Sequence, residues 1–390
     1  MPDRLHITYQ LTPVAGQSIE GLCRGIALEQ TVEMAEDLVR SDEIREQIIG
    51  ETLELEPLPD LSGSYRAVIA YRPETTAYAL PQLLNLLYGN ISIKNNIRIT
   101  AIEMPGSLLA HWPGPNYGIE GIRRLTGVRD RALAMTALKP MGMPAADLAL
   151  MAGAFAQGEG DIVKDDHGLA DHPFCGFAER VERCQEAVAR ANQSTGHTTL
   201  YFPNISAPLE TLEEHLQLAV ELGVKGVLVA PFLLGLDTVR YLASRYDLVF
   251  AGHPAFSGTH FHDRRHGMTP GVLLGTLFRL IGCDISIYPN FGGRFAFTPE
   301  ECHGINAALQ QPLGELRPAF PAPAGGMTLD RIPEMAAAYG SDAVYLIGSA
   351  LLREDIDLVV ATRRFMARIH ESFAPVTGVR PCRTGSGGGT

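Results

Sequence analysis

The chain has 390 residues, 46% of them hydrophobic and 19% charged, with a formal net charge of −12. That acidity argues against a broad nucleic-acid surface and against anionic membranes, but allows a local cationic pocket for a phosphorylated metabolite. No window holds the roughly 18 uninterrupted apolar residues of a membrane span, and Met1-Pro2-Asp3-Arg4 does not open a signal peptide. Six scattered cysteines without a CxxC pair fit free thiols in a cytoplasmic protein.

Residues 1–126 mix strands and helices, an α+β pattern. His6 to Leu11 reads as a strand, Ser64 to Tyr71 as another, and Ile91 to Glu103 as strand-rich. Gly25 to Val39 is expected to end in helix, and Ala79 to Tyr88 is helical. Trp112-Pro113-Gly114-Pro115-Asn116-Tyr117-Gly118 is a candidate linker, with Trp112 packing between the units.

From Ala132 a regular alternation sets in. Strands are expected at Ala132–Leu138, Asp161–Lys164, Thr198–Phe202, Gly226–Val229, Leu248–Ala251, Asp284–Tyr288, Ala319–Pro323 and Ala343–Ile347. Each is followed by a helical stretch, the last being Ile356–Phe373. Eight such pairs point to an α/β fold with a C-terminal (β/α)8 TIM barrel over 127–375; an open doubly wound sheet shares the periodicity. Residues 376–390, rich in glycine, read as a flexible tail.

A barrel carries its chemistry where strands end. The strand ends here hold Lys139, then Lys164-Asp165-Asp166-His167, His253, Gly292-Gly293-Arg294, Gly325-Gly326 and Gly348-Ser349. Along the second strand, side chains two apart share a face, so Lys164 and Asp166 point together, and His167 joins them only where the strand has ended. Glycines at the last two ends suit backbone N–H groups that cradle phosphate. The His260-Phe261-His262-Asp263-Arg264-Arg265-His266 run reads as a polar loop after the fifth strand. Lysine beside two carboxylates is by itself an ordinary ion pair; the bias at all eight ends marks a site.

Gly158-Glu159-Gly160-Asp161-Ile162-Val163-Lys164-Asp165-Asp166-His167 resembles the G-G-x-D-F-x-K-D-D-E motif of the RuBisCO superfamily. Leu138-Lys139-Pro140, Asp263 to Met268, Tyr88-Gly89-Asn90 and the paired glycines support the likeness, which runs from about Ile26 to Ser349 and is strongest to the non-carboxylating RuBisCO-like proteins (form IV). The resemblance implies that Lys164 takes up CO2 as a carbamate and, with Asp166 and a third ligand at the position of His167, holds Mg2+. It further implies proton transfer at Lys139, a substrate contact at His253, and a mobile-loop cation at Arg294. Phosphate would lie on Gly325, Gly326, Gly348 and Ser349. Glu29 and Asn90 would be delivered into the partner's barrel of a homodimer.

Departures from the pattern narrow the reaction. The family's glutamate ligand is His167, which suits Mn2+ better than Mg2+ or serves as a substrate contact or general base. Met141, Pro254, Ala324 and the apolar Ile287 replace groups used with ribulose bisphosphate, so carboxylation is not expected. What remains is enolate chemistry on a monophosphorylated ketose or oxo sugar acid: isomerisation or tautomerisation, as in methylthio-pentulose phosphate salvage, or decarboxylation of an apiose-derived oxo-acid phosphate. A lysine Schiff-base aldolase and a non-catalytic metabolite-binding regulator are the alternatives.

Overall fold

A computed structural model describes residues 3–355 and 357–374. The tail expected over 376–390, Cys382, and Ile356 at the start of the last expected helix lie outside the described residues.

The first unit is a five-stranded sheet. Its strands are β1 (Leu5–Leu11), β2 (Glu51–Pro57), β3 (Tyr65–Tyr71) and β4 (Ile97–Glu103), with a late arrival described below. β1 lies between β3 and β4, antiparallel to both, and β2 borders β3. β2 escapes a sequence reading because it carries Glu51, Glu54 and Glu56 and is almost wholly exposed, so no burial pattern marks it. The helix near Glu29 also differs from expectation. It spans Ile19–Glu29, capped by Ser18 through a bond from Gly21 N, and ends before Glu33, after which helix was expected. Leu22, Cys23 and Ile26 form its buried stripe, whereas Met34 to Val39 makes only a short 3-10 turn.

Seven of the next eight expected strands begin one or two residues later than anticipated, and one begins where expected. They are β5 (Leu133–Leu138), β6 (Ile162–Asp165), β7 (Leu200–Phe202), β8 (Gly226–Val229), β9 (Val249–Gly252), then β11 (Ile285–Pro289), β12 (Phe320–Ala324) and β13 (Val344–Leu346), with β10 (Gly267–Met268) between. They form two four-stranded parallel sheets, ordered β13-β5-β6-β7 and β8-β9-β11-β12. Met135, Ile162, Phe202, Leu228, Ala251, Ile287, Ala322 and Leu346, one from each strand, pack in a single interior cluster.

The closed hydrogen-bonded ring expected from the sequence is not formed. One seam is stitched just beyond β7, where Leu228 N donates to Pro203 O and Ile205 N to Leu228 O. Between β12 and β13 no ladder bond occurs among the described residues. Proline explains the open seam. Phe320 N donates to Asp284 O on the β11 side, so strand alternation turns Pro321 and Pro323 toward β13, and neither has an N–H to give.

β10 belongs to the other unit. The polar loop after β9 runs to the first sheet and adds Gly267–Met268 as a parallel strand beside β4. Gln10 Nε2 and Arg98 Nη1 both donate to Arg264 O, at 2.9 and 3.0 Å, and Tyr88 Oη accepts from Gly267 N. Trp112 is buried in the core, as expected of a packing residue. Five cysteines are free and buried.

Candidate active site

The carboxyl ends of β5, β6, β9, β11, β12 and β13 open on one cavity of about 860 Å3. Lys139, Lys164, Asp166, His167, His253, Arg294, Gly325, Gly326, Gly348 and Ser349 all line it. Of the candidate residues, Glu29 and Asn90 do not. They lie together on the first unit, where Asn90 Nδ2 donates to Glu29 Oε1 at 3.1 Å and Lys94 Nζ lies 3.2 Å from Glu29 Oε2.

β6 separates its two aspartates by alternation. Asp165 faces outward, fully buried, and takes Arg180 Nε at 3.0 Å, Tyr201 Oη at 2.8 Å and Asn204 N at 3.0 Å. It is a structural anchor. Asn204 Nδ2 also holds His167 O and Leu169 O, which fixes the chain leaving the strand. Lys164 and Asp166 face inward, and β6 ends at Asp165, so His167 turns into the cavity beside them.

Lys139, reaching across from β5, places Nζ 2.9 Å from Asp166 Oδ1, and His167 Nδ1 lies 3.4 Å from the same oxygen. Burial alone would raise the Asp166 carboxyl, but the contacts from His167 and Lys139 and the charge of Lys164 hold it well below the usual range. Lys164 is 2% exposed, and its Nζ donates to Asp165 O at 3.0 Å. Burial brings its amine down to about 8, with Asp166 resisting and Lys139 assisting. His253 stacks on His167 at 4.2 Å between ring centroids. Burial first, then the electrostatic influence of Lys164 and His167, keep it well below the ordinary histidine value. Its Nδ1 accepts from Ala255 N at 3.1 Å, so the neutral ring carries its proton on Nε2.

Opposite lies the glycine wall. Gly325 and Gly326 have φ of +82° and +96°, conformations that suit glycine. Arg294 N donates to Gly325 O at 2.8 Å, so the loop after β11 rests on this turn. Arg294 and Arg264 both line the cavity, and neither has a carboxylate within 4.0 Å among the described residues. Unpaired guanidiniums in an acidic chain favour an anionic ligand there. Sequence reasoning missed Phe261, Phe297 and Glu301 on the rim. Phe261 and Phe297 meet edge to face at 5.4 Å across two loops, a contact with no local sequence signal.

Asp166 supplies one carboxylate for a divalent cation, and no group of three His, Cys, Asp or Glu side chains is placed to hold a metal among the described residues. A lysine amine near 8 has an accessible neutral form, the one that reacts with CO2. A carbamate there would set two anions, itself and Asp166, against Lys139, an excess that a divalent ion offsets.

Parallel strands ending in one cavity lined by acid–base groups and a glycine turn define an α/β protein with a candidate active site at its strand ends. The family described as ribulose bisphosphate carboxylase large chain, catalytic domain, matches residues 118–292. A 5-methylthioribulose-1-phosphate isomerase of Rhodospirillum rubrum is 36% identical over 383 residues, covering 98% of this chain and all of the relative. A 2,3-diketo-5-methylthiopentyl-1-phosphate enolase of Geobacillus thermodenitrificans is 30% identical over 375 residues, covering 92% and 90%. The crystal structure of a Rubisco-like protein from Rhodopseudomonas palustris superposes with a TM-score of 0.85 at 36% identity, covering 95% of this chain and 99% of the other. The chain belongs to the RuBisCO superfamily, among its RuBisCO-like proteins.

Proposed function

We infer that this protein is an enolate-forming isomerase acting on a monophosphorylated ketose, with 5-methylthioribulose 1-phosphate as the substrate to test first. The observation that carries the reading is the pairing of Lys139 with Asp166 beside buried Lys164, facing the Gly325–Gly326 turn across one cavity. The R. rubrum isomerase supports it by its similarity over both full lengths.

In this reading Lys164, as a carbamate, and Asp166 hold Mg2+ or Mn2+, with His167 as a third ligand or as a contact to the substrate. The ion would polarise the substrate carbonyl and so acidify the neighbouring carbon. Gly325, Gly326, Gly348, Ser349 and Arg294 bind the phosphate. Lys139 is placed to pass a proton at the reacting carbon, and His253 offers Nε2–H to a substrate oxygen. Glu29 and Asn90 complete the partner's cavity in a homodimer.

The test is NMR of 5-methylthioribulose 1-phosphate in D2O with Mg2+ and bicarbonate. Deuterium entering the carbon next to the carbonyl, followed by a rearranged product, is the expected result. Binding without any exchange would overturn the reading in favour of a non-catalytic metabolite binder. Borohydride trapping of the substrate on Lys139 or Lys164 would instead point to Schiff-base chemistry.

A further inference from the structure

We propose that Arg331, which lies outside the cavity, is a positioning residue that pins the loop after β11 and thereby fixes Arg294 for the phosphate. This rests on the phosphate reading above. Arg331 sits on the turn that follows the Gly325–Gly326 pair, with its side chain 19% exposed. Glu334 Oε2 takes its Nε at 2.8 Å and orients the guanidinium. The guanidinium lies 5.7 Å from the Phe291 ring centroid and 3.7 Å from Met327 Sδ. A side chain at Gly292 would meet Arg331 Nη2 at 2.7 Å, so the guanidinium lies against the loop, and the backbone there, at φ +66°, favours glycine.

The inner side of the loop is fastened as well. Asn290 N donates to Ala324 O and Arg294 N to Gly325 O, each at 2.8 Å. A Cβ on Gly293 would collide with Gly325 O, so the two backbones are in direct apposition. Buried Asn290 receives Tyr339 Oη and donates to Met327 Sδ at 3.2 Å. Residues 290–294 are therefore held from inside by the β12 turn and from outside by Arg331. Where the resemblance implied a mobile loop, Arg294 is here carried on a fastened one, and the cost of ordering it is met in folding.

Two measurements on the full-length protein test this. The first is calorimetric binding of inorganic phosphate to the wild type, Arg294→Gln, Arg331→Met and the double variant. Each single change is expected to weaken binding about tenfold, with the double variant within twofold of Arg294→Gln. Wild-type affinity in Arg331→Met, or fully additive losses in the double variant, would overturn the proposal. The second is the rate of tryptic cleavage after Arg294, which needs no phosphate. Arg331→Met should speed it about tenfold, Arg331→Lys less, while cleavage at exposed Arg190 stays unchanged. Equal acceleration at both sites would mean general loosening and would overturn the pin. Absence of phosphate binding in the wild type, with selective cleavage intact, would sink the phosphate reading and leave the pin standing.

Discussion

Lys139 Nζ and Asp166 Oδ1 lie 2.9 Å apart, joining the end of β5 to the residue just past β6. The pair keeps a carboxylate ionised beside a buried lysine, and it holds a partly exposed ammonium at the cavity wall.

Replacing that ammonium should therefore remove chemistry and leave the fold. Lys139→Met is expected to lower the rate of solvent-deuterium exchange into 5-methylthioribulose 1-phosphate by about 10²-fold or more, with the melting temperature nearly unchanged. A rate within threefold of wild type would remove Lys139 from proton transfer.

Buried Lys164, brought down to about 8, is expected to take up labelled CO2. A 13C carbamate resonance should appear with bicarbonate, strengthen with Mg2+ or Mn2+, and vanish in Lys164→Ala. Persistence of the signal in that variant would assign it to another amine.

A distant ion pair governs stability. Asp161, fully buried, receives Arg131 at 2.6 and 2.9 Å, His197 Nε2 at 3.1 Å and Ala134 N at 2.7 Å. Burial would raise its carboxyl, but His197, Arg131 and the backbone N–H outweigh burial and hold it below the ordinary value. A depressed carboxyl binds its proton less readily folded than unfolded. Its contribution is thus complete above about pH 4 and is lost as pH falls through the lower folded value. Asp161→Asn leaves Arg131 buried without its counter-charge and should cost about 3–5 kcal/mol at pH 7 by urea unfolding. The gap between variant and wild type should narrow below pH 4, and a constant gap would refute the linkage.

Glu29 and Asn90 test the shared site. If the sites are shared, Glu29→Gln and Lys164→Ala should each be inactive alone and regain up to about a quarter of wild-type activity when co-assembled at random in equal amounts, because half the dimers are then mixed and one of the two sites in each has both native halves. No recovery from demonstrated mixed dimers would place Glu29 outside the reaction.

Much of this was legible in one dimension. The run from Gly158 to His167, the eight strand–helix pairs and the glycines at the last two strand ends depend on periodicity and turn chemistry, which are local properties. They marked Lys139, Lys164, Asp166, His167, His253, Arg294 and the glycines of the cavity, but not Phe297 or Glu301. The helix before Glu29 is hard to place from sequence because Ile26-Ala27-Leu28 is apolar in either structure, and its start is decided by the Ser18 cap.

Tertiary structure decided the rest. Which of two adjacent aspartates faces the cavity depended on where β6 stops and on Arg180, fifteen residues away. The open seam beside β12 follows from two prolines whose significance appears only once their neighbours are known. β10 joined the first sheet, and Arg331 found Phe291 and Gly292, through contacts between segments far apart in the chain. Sequence by itself marked the eight parallel strands and the candidate residues at their ends. Only packing chose the partners, because a side chain's neighbours across space are set by the whole chain's burial of its apolar faces.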